Sequence, residues 1–233
     1  MSGEFLFRPQ PVYAAPVQGL SKLYPVSRIF CVGRNYEAHA REMGVEVDRE
    51  APFYFTKPAS ALTLSGAEVP YPPGTANYHY EMELVVALGA PAFRIEADAA
   101  ETVVFGYAAG LDMTRRDLQL EARAKQRPWD LGKAFEQSAV LAAITPREAF
   151  GAIGEQGIRL KVGGAVRQEA RLSDMVWRVP ELIAHLSRFY HLGPGDLIYT
   201  GTPEGVGAVV QGDEVFGEID GLAPVSLKIG APE

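Results

Sequence analysis

The sequence predicts a β-rich fold of mixed α and β structure with few, short helices. Three observations carry this reading. Short β-branched or aromatic runs recur along the chain, helical periodicity is confined to a few brief windows, and there is neither a strand–helix–strand rhythm nor an internal repeat. At 233 residues, with 47 % apolar and 22 % charged positions, the composition is that of an ordinary globular chain with enough material for one large core.

Each element follows from local residues. Residues 1–24 carry Pro9, Pro11 and Pro16 without periodicity and read as an irregular arm over a main domain of residues 25–233. Residues 28–32 form an apolar strand in which Cys31 is a core residue. A short helix follows, with Asn35 as N-cap and Gly44 at the C′ position. Residues 52–58 are an aromatic strand closed by Pro58, residues 66–73 are turn-rich, and residues 78–88 read as one buried strand. A further apolar strand over 102–109 runs on to Asp112, after which Thr114 caps a helix with Asp117 in its first turn. On that helix Arg116, Gln119 and Arg123 form one polar stripe. Gly163-Gly164 marks a hairpin, and residues 180–192 read as a helix whose apolar face is Leu182, Ile183, Leu186 and Phe189, with His185 and His191 as structural or surface residues. A strand over 197–199 enters the loop T-G-T-P-E-G-V-G at 200–207, and two strands within 213–229 flank an Asp220-Gly221 turn.

The charge balance excludes whole classes of function. A formal net charge of −7 argues against a nucleic-acid or anionic-membrane partner, each of which needs a basic patch. A single cysteine permits neither an internal disulfide nor a Cys-rich metal site. The N-terminus lacks the pattern of a signal peptide, and no apolar run approaches the roughly 20 residues of a membrane span, so a soluble, cytoplasmic protein is expected.

Three constellations carry chemistry. Glu81 and Glu83 stand two apart beside the apolar run of Leu84, Val85 and Val86, and alternate residues of a strand share a face. Two carboxylates converging beside a core need a positive charge between them, which a hard divalent cation such as Mg²⁺ or Mn²⁺ supplies; a solvated strand end is the plain alternative. His39 and Glu42 are neighbours on one helix face, the arrangement of a general base with its orienting carboxylate, or of an ordinary surface pair. The loop at 200–207 offers backbone N–H groups to an anion but lacks a Walker lysine, which suits a small carboxylate better than a nucleotide.

Taken together, G-R-N-Y-x-x-H-x-x-E (33–42), F-T-K-P (55–58), H-Y-E-M-E-L (79–84), G-L-D-M-T-R-R-D-L-Q (110–119), L-G-K (131–133) and T-G-T-P-E-G-V-G (200–207) resemble the fumarylacetoacetate hydrolase family, from about residue 25 to the C-terminus. The compact length and the C-V-G-R-N-Y-x-x-H start resemble its single-domain acylpyruvate hydrolase branch. The resemblance implies a β-roll of mixed sheets, a homodimer, and one Mg²⁺ or Mn²⁺ per subunit. It implies metal ligation by Glu81, Glu83 and Asp112, water activation by His39 and Glu42, and oxyanion stabilisation by Gln119 and Lys133. Arg116 would contact substrate, and Gly201 and Thr202 would receive its carboxylate. The implied reaction is hydrolytic cleavage of an acylpyruvate C–C bond in aromatic catabolism. Arg34, Arg116 and Arg123 are the cations that suit a dicarboxylic acyl chain such as fumaryl. Oxaloacetate decarboxylation or keto–enol isomerisation of a diacid on the same metal site is the alternative.

Overall fold

A computed structural model describes residues 5–44 and 51–233. The first four residues of the arm, and residues 45–50 of the main domain, lie outside the described residues. An eight-stranded mixed sheet organises the molecule. Its strand order is Phe53–Lys57, Arg28–Gly33, Asp196–Tyr199, Met82–Leu88, Val104–Asp112, Ala139–Leu141, Leu62–Leu64, with Thr145–Pro146 also on Val104–Asp112. Arg28–Gly33 runs parallel to Asp196–Tyr199, and Met82–Leu88 lies antiparallel between Asp196–Tyr199 and Val104–Asp112. A five-stranded sheet, which includes the expected hairpin of Gly157–Val162 and Ala165–Arg171, packs beside it. No helix among the described residues is long and apolar enough to cross a membrane.

The central strands of the large sheet are buried on both faces because apolar residues fill nearly every position of Met82–Leu88, Val104–Asp112 and Asp196–Tyr199. Met82, Leu84, Val86 and Leu88 join one core, shared with the five-stranded sheet, while the intervening Val85 and Ala87 join a smaller core on the opposite face. That smaller core also takes Ile29, Cys31, Ala108, Ala139, Leu197 and Tyr199. The arm contributes to it as well. Ala14–Ala15 pairs with Tyr24–Pro25, Ala15 and Tyr24 are buried, and the Tyr24 hydroxyl donates to Leu88 O at 2.6 Å.

Several elements differ from the sequence expectation, each for a local reason. The stretch 78–88 is two strands, Tyr78–Tyr80 and Met82–Leu88, belonging to different sheets and broken at Glu81. Within the turn-rich 66–73 segment, Ala67–Tyr71 is a strand; it lies at a sheet edge, where a proline is tolerated. The strand leading to Asp112 starts at Val104, because Ala97–Val103 winds into a 3₁₀ helix. The C-terminal helix is Val179–Leu186 with Pro180 in its first turn; it ends before Phe189, which is 68 % exposed instead of packed.

Candidate active site

The break at Glu81 builds the centre of the site. The Asp112 N–H donates to Glu81 O at 2.9 Å, which extends the Met82–Leu88/Val104–Asp112 ladder by one rung. Glu81 therefore stands opposite Asp112, and Glu83, opposite Gly110, lies diagonally across from it on the same face. Ligand oxygens of Glu81, Glu83 and Asp112 lie within 4.8 Å of one another, and all three residues are buried. The alternation argument placed the two glutamates correctly even though the strand changes sheets between them.

Cations are distributed unevenly over these carboxylates. Lys133 Nζ donates to Glu81 Oε2 (2.8 Å), Asp112 Oδ2 (2.7 Å) and Thr114 Oγ1 (2.7 Å). Arg116 donates one guanidinium nitrogen to Glu81 Oε1 and another to Gln119 Oε1. Glu81 is thereby held below the usual carboxylate range: burial pushes it up, but the Lys133 and Arg116 charges outweigh that. The same carboxylates push the Lys133 ammonium up against its own burial. Among the described residues Glu83 has no such cation bonded to it. It accepts the Gly201 N–H at 2.7 Å, and burial together with the Asp112 and Glu81 charges pushes it well above its usual value.

A divalent cation fits this arrangement. The donor set is oxygen only, which suits a hard ion. Lys57 Nζ lies 2.9 Å from Asp112 Oδ1, but its hydrogen bonds go to Met113 O, Lys133 O and Ser138 Oγ, so this buried oxygen receives no hydrogen bond. Among the described residues Glu83 has no cation bonded to it and Asp112 Oδ1 has only its ion pair with Lys57, so a divalent cation held by the converging carboxylates would satisfy both.

The remaining residues close round this centre. Helix Glu37–Glu42 carries His39, whose Nδ1 lies 3.0 Å from Glu42 Oε2. Glu42 also accepts the Gly205 N–H at 3.1 Å, which fastens the helix to the 200–207 loop. Helix Arg116–Ala124 turns its polar stripe inward: Arg116 and Gln119 are buried, and Arg123 reaches Met43 O at 3.2 Å. Helix Asp130–Lys133 can lie on it because a side chain at Gly132 would meet the Gln119 backbone nitrogen at 2.9 Å. A single cleft is lined by Arg34, His39, Glu81, Glu83, Arg116, Gln119, Lys133 and Thr202. His79, beside Arg116, is lowered to about 4 by burial and by that guanidinium.

Two expectations about individual residues are corrected. Asn35 does not cap the helix, whose N-cap is Tyr36; its side chain bonds Trp177 N and O and Thr200 O, clamping the loop strand beneath. Thr114 belongs to a two-residue strand and serves Lys133 and Asp112 instead of a helix end, the N-cap there being Arg115. The Gly201 N–H donates to Glu83, whose carboxylate lines the cleft together with Thr202. Sequence reasoning also left Lys57 and Gln168 without roles. Lys57 is fully buried beneath Asp112, and Gln168 accepts from Met82 N while donating to Thr202 Oγ1. Lys57 stood in the F-T-K-P motif, but nothing local distinguishes a buried lysine from a strand-end one. Gln168 sits on a mostly exposed strand and left no signal.

Mixed sheets with few helices, and a buried oxygen-ligand triad facing a His–Glu pair, define a hydrolase of the fumarylacetoacetate hydrolase type. Residues 28–229 match the fumarylacetoacetate (FAA) hydrolase C-terminal family model, and the chain belongs to that family. It is 56 % identical to a fumarylpyruvate hydrolase of Ralstonia sp over 194 residues, 82 % of this chain and all of that one. It is 41 % identical to a mitochondrial oxaloacetate tautomerase of Homo sapiens over 88 % of this chain and 92 % of that one. The fold matches the crystal structure of fumarylpyruvate hydrolase from Pseudomonas aeruginosa in complex with Mn²⁺ and pyruvate, with a TM-score of 0.95 and 46 % identity over 98 % of this chain and 100 % of that one.

Proposed function

We propose that this chain hydrolyses the C–C bond of fumarylpyruvate to fumarate and pyruvate, as a cytoplasmic, homodimeric enzyme of aromatic catabolism. The observation that carries the reading is that His39, with Glu42 on its Nδ1, lines the same cleft as Glu81 and Glu83, whose ligand oxygens lie within 4.8 Å of the buried Asp112. Glu81, Glu83 and Asp112 would hold Mg²⁺ or Mn²⁺, which supplies Lewis acidity for the pyruvyl oxygens and for the enolate that departs. Glu42 fixes the tautomer with a proton on His39 Nδ1, leaving Nε2 to take a proton from water attacking the distal carbonyl. Gln119 spends its carbonyl oxygen on Arg116, so its amide N–H groups are free to donate to the oxygen that becomes negative. Lys133 adds positive charge to the same region, and Arg116 and Thr202 line the substrate's path.

A second reading is oxaloacetate decarboxylation or keto–enol isomerisation of a diacid; the name of the 41 % identical human relative, an oxaloacetate tautomerase, supports the isomerisation. Neither reaction needs water, so the pair His39 and Glu42 supports hydrolysis. Release of pyruvate from fumarylpyruvate, acetylpyruvate and oxaloacetate is measured with Mg²⁺ or Mn²⁺, for the wild type and His39→Ala. Hydrolysis predicts that fumarylpyruvate is cleaved fastest and that His39→Ala abolishes cleavage. Pyruvate from oxaloacetate alone, untouched by His39→Ala, would establish decarboxylation, and decay of the oxaloacetate enol absorbance with no pyruvate released from any substrate would establish isomerisation.

A further inference from the structure

Next to the metal-facing cleft lies a second hollow that shares Arg34, Phe55, Arg123, Trp129 and Lys133 with it and continues to Phe53 and Arg127. Four cations (Arg34, Arg123, Arg127 and Lys133) and four aromatic side chains therefore line one continuous space in a chain whose net charge is −7. Arg34 and Arg123 are both half-buried, and neither forms an ion pair with a carboxylate among the described residues. Arg34 rests over the Phe53 ring at 5.5 Å, and Arg123 makes one bond, to Met43 O. Phe53 is itself braced edge-on by Trp129, with ring centroids 4.9 Å apart. The Arg34 backbone holds a left-handed φ of 61°, an uncommon conformation for a side-chain-bearing residue and one that strains the chain at this point.

Two neighbouring guanidinium groups with no anion between them among the described residues repel one another, and burial removes the water that would screen them. Both effects hold Arg34 below its usual value, burial more than Arg123. The one carboxylate on this wall, Asp130, is solvent-exposed. The space between the arginines and the aromatic rings thus matches a flat, unsaturated chain ending in an anion.

We infer that Arg34 and Arg123 form a subsite for the distal carboxylate of a dicarboxylic acyl chain, so that they set preference for fumaryl over neutral acyl groups. The inference rests on the acylpyruvate hydrolase reading and deepens it. The pyruvyl half sits at the triad, the acyl chain passes Lys133 and runs along the paired Phe55 and Trp129 rings, and its terminal carboxylate meets the two guanidinium groups.

The test is the ratio of kcat/KM for fumarylpyruvate to that for acetylpyruvate, which lacks the second carboxylate, in the full-length Mn²⁺-loaded protein. Losing one charge-assisted contact lowers that ratio about 10- to 100-fold. Arg34→Gln and Arg123→Gln are each expected to do so, mainly through KM for fumarylpyruvate, with Arg123→Lys retaining part of the preference. A second measurement needs no variant: fumarate is expected to inhibit acetylpyruvate cleavage by the wild type about tenfold better than monomethyl fumarate. Equal losses on both substrates, or equal inhibition by the diacid and its monoester, would overturn the subsite while leaving the hydrolase reading in place. A wild type that cleaves neither acylpyruvate refutes both.

Discussion

Gly201 donates its backbone N–H to Glu83 Oε2 at 2.7 Å, and this one bond ties the glycine loop to the carboxylate that has no cation of its own. The bond requires glycine. Gly201 holds φ +95°, and a Cβ there would meet Asn35 Cβ at 2.8 Å and Val32 O at 3.1 Å. Gly201→Ala is therefore expected to cost about 1–3 kcal/mol of stability and to weaken Mn²⁺ binding by at least tenfold, since a ligating carboxylate loses its orienting donor. Urea unfolding and calorimetric titration with Mn²⁺ check the two effects. A variant with lowered stability but unaltered metal affinity would separate the loop from the metal site.

Glu83 makes metal binding and stability one problem. Its carboxyl is raised well above the usual range by burial and by Asp112 and Glu81. Above the ordinary glutamate range the folded, metal-free chain thus holds a proton that the unfolded chain has released. Its stability falls as pH rises until Glu83 itself ionises. Bound cation removes the cost. In chelator at pH 8, Glu83→Gln is expected to be at least as stable as the wild type. With Mn²⁺ at 100 times its Kd the wild type gains about 2.7 kcal/mol, roughly 5–10 °C in Tm for a chain of this size, and the variant gains much less. Equal gains in both proteins would remove Glu83 from the ligand set.

What was legible in the sequence follows from which interactions are local. The Gly163-Gly164 hairpin, the His39–Glu42 pair and the shared face of Glu81 and Glu83 depend on spacings of two to four residues, and the structure contains all three. The passage of the chain from one sheet to another at Glu81 depends on Asp112, 31 positions away, and on the Gln168 side chain that accepts the Met82 N–H. Asn35 illustrates the same limit. Beside a helix start it has the chemistry of a cap, yet Trp177 and Thr200, which no local pattern brings near, take its side chain.

Lys57 is the largest unforeseen contributor. Its ammonium is fully buried, with burial lowering its basicity and Asp112 opposing that, and it donates to Met113 O, Lys133 O and Ser138 Oγ. Lys57→Met removes the charge and leaves these acceptors, and Asp112, unsatisfied. Breaking a buried pair in this way is expected to cost about 3–5 kcal/mol. Circular-dichroism melts read the loss directly, and a drop below about 1 kcal/mol would show the network to be dispensable.

Asp117 contributes a stability that depends on pH. Burial raises its carboxyl slightly, but the Thr75 hydroxyl and the Ala76 and Leu118 N–H groups outweigh this and lower it. A lowered carboxylate stabilises the fold above its unfolded pKa of about 3.9, and that contribution is lost as pH falls through the folded value. Asp117→Asn is expected to lower the urea midpoint at pH 7 and to narrow the gap from the wild type near pH 3. A gap that is constant across this range would assign the effect to lost packing, not to charge.

Glu42 separates orientation from mere proximity at the dyad. Its carboxylate accepts both from His39 Nδ1 and from the Gly205 N–H. Glu42→Gln removes the negative charge that steadies the imidazolium, and an amide N–H turned toward His39 would favour the tautomer with its proton on Nε2, which cannot act as base. Turnover of fumarylpyruvate is expected to fall about 10²- to 10⁴-fold, while Mn²⁺ affinity stays within about threefold because no triad ligand is altered. Single-turnover pyruvate release alongside metal titration distinguishes the outcomes. Full turnover would dismiss the dyad from the mechanism, whereas loss of metal binding together with turnover would reassign Glu42 to holding the 200–207 loop against Glu83.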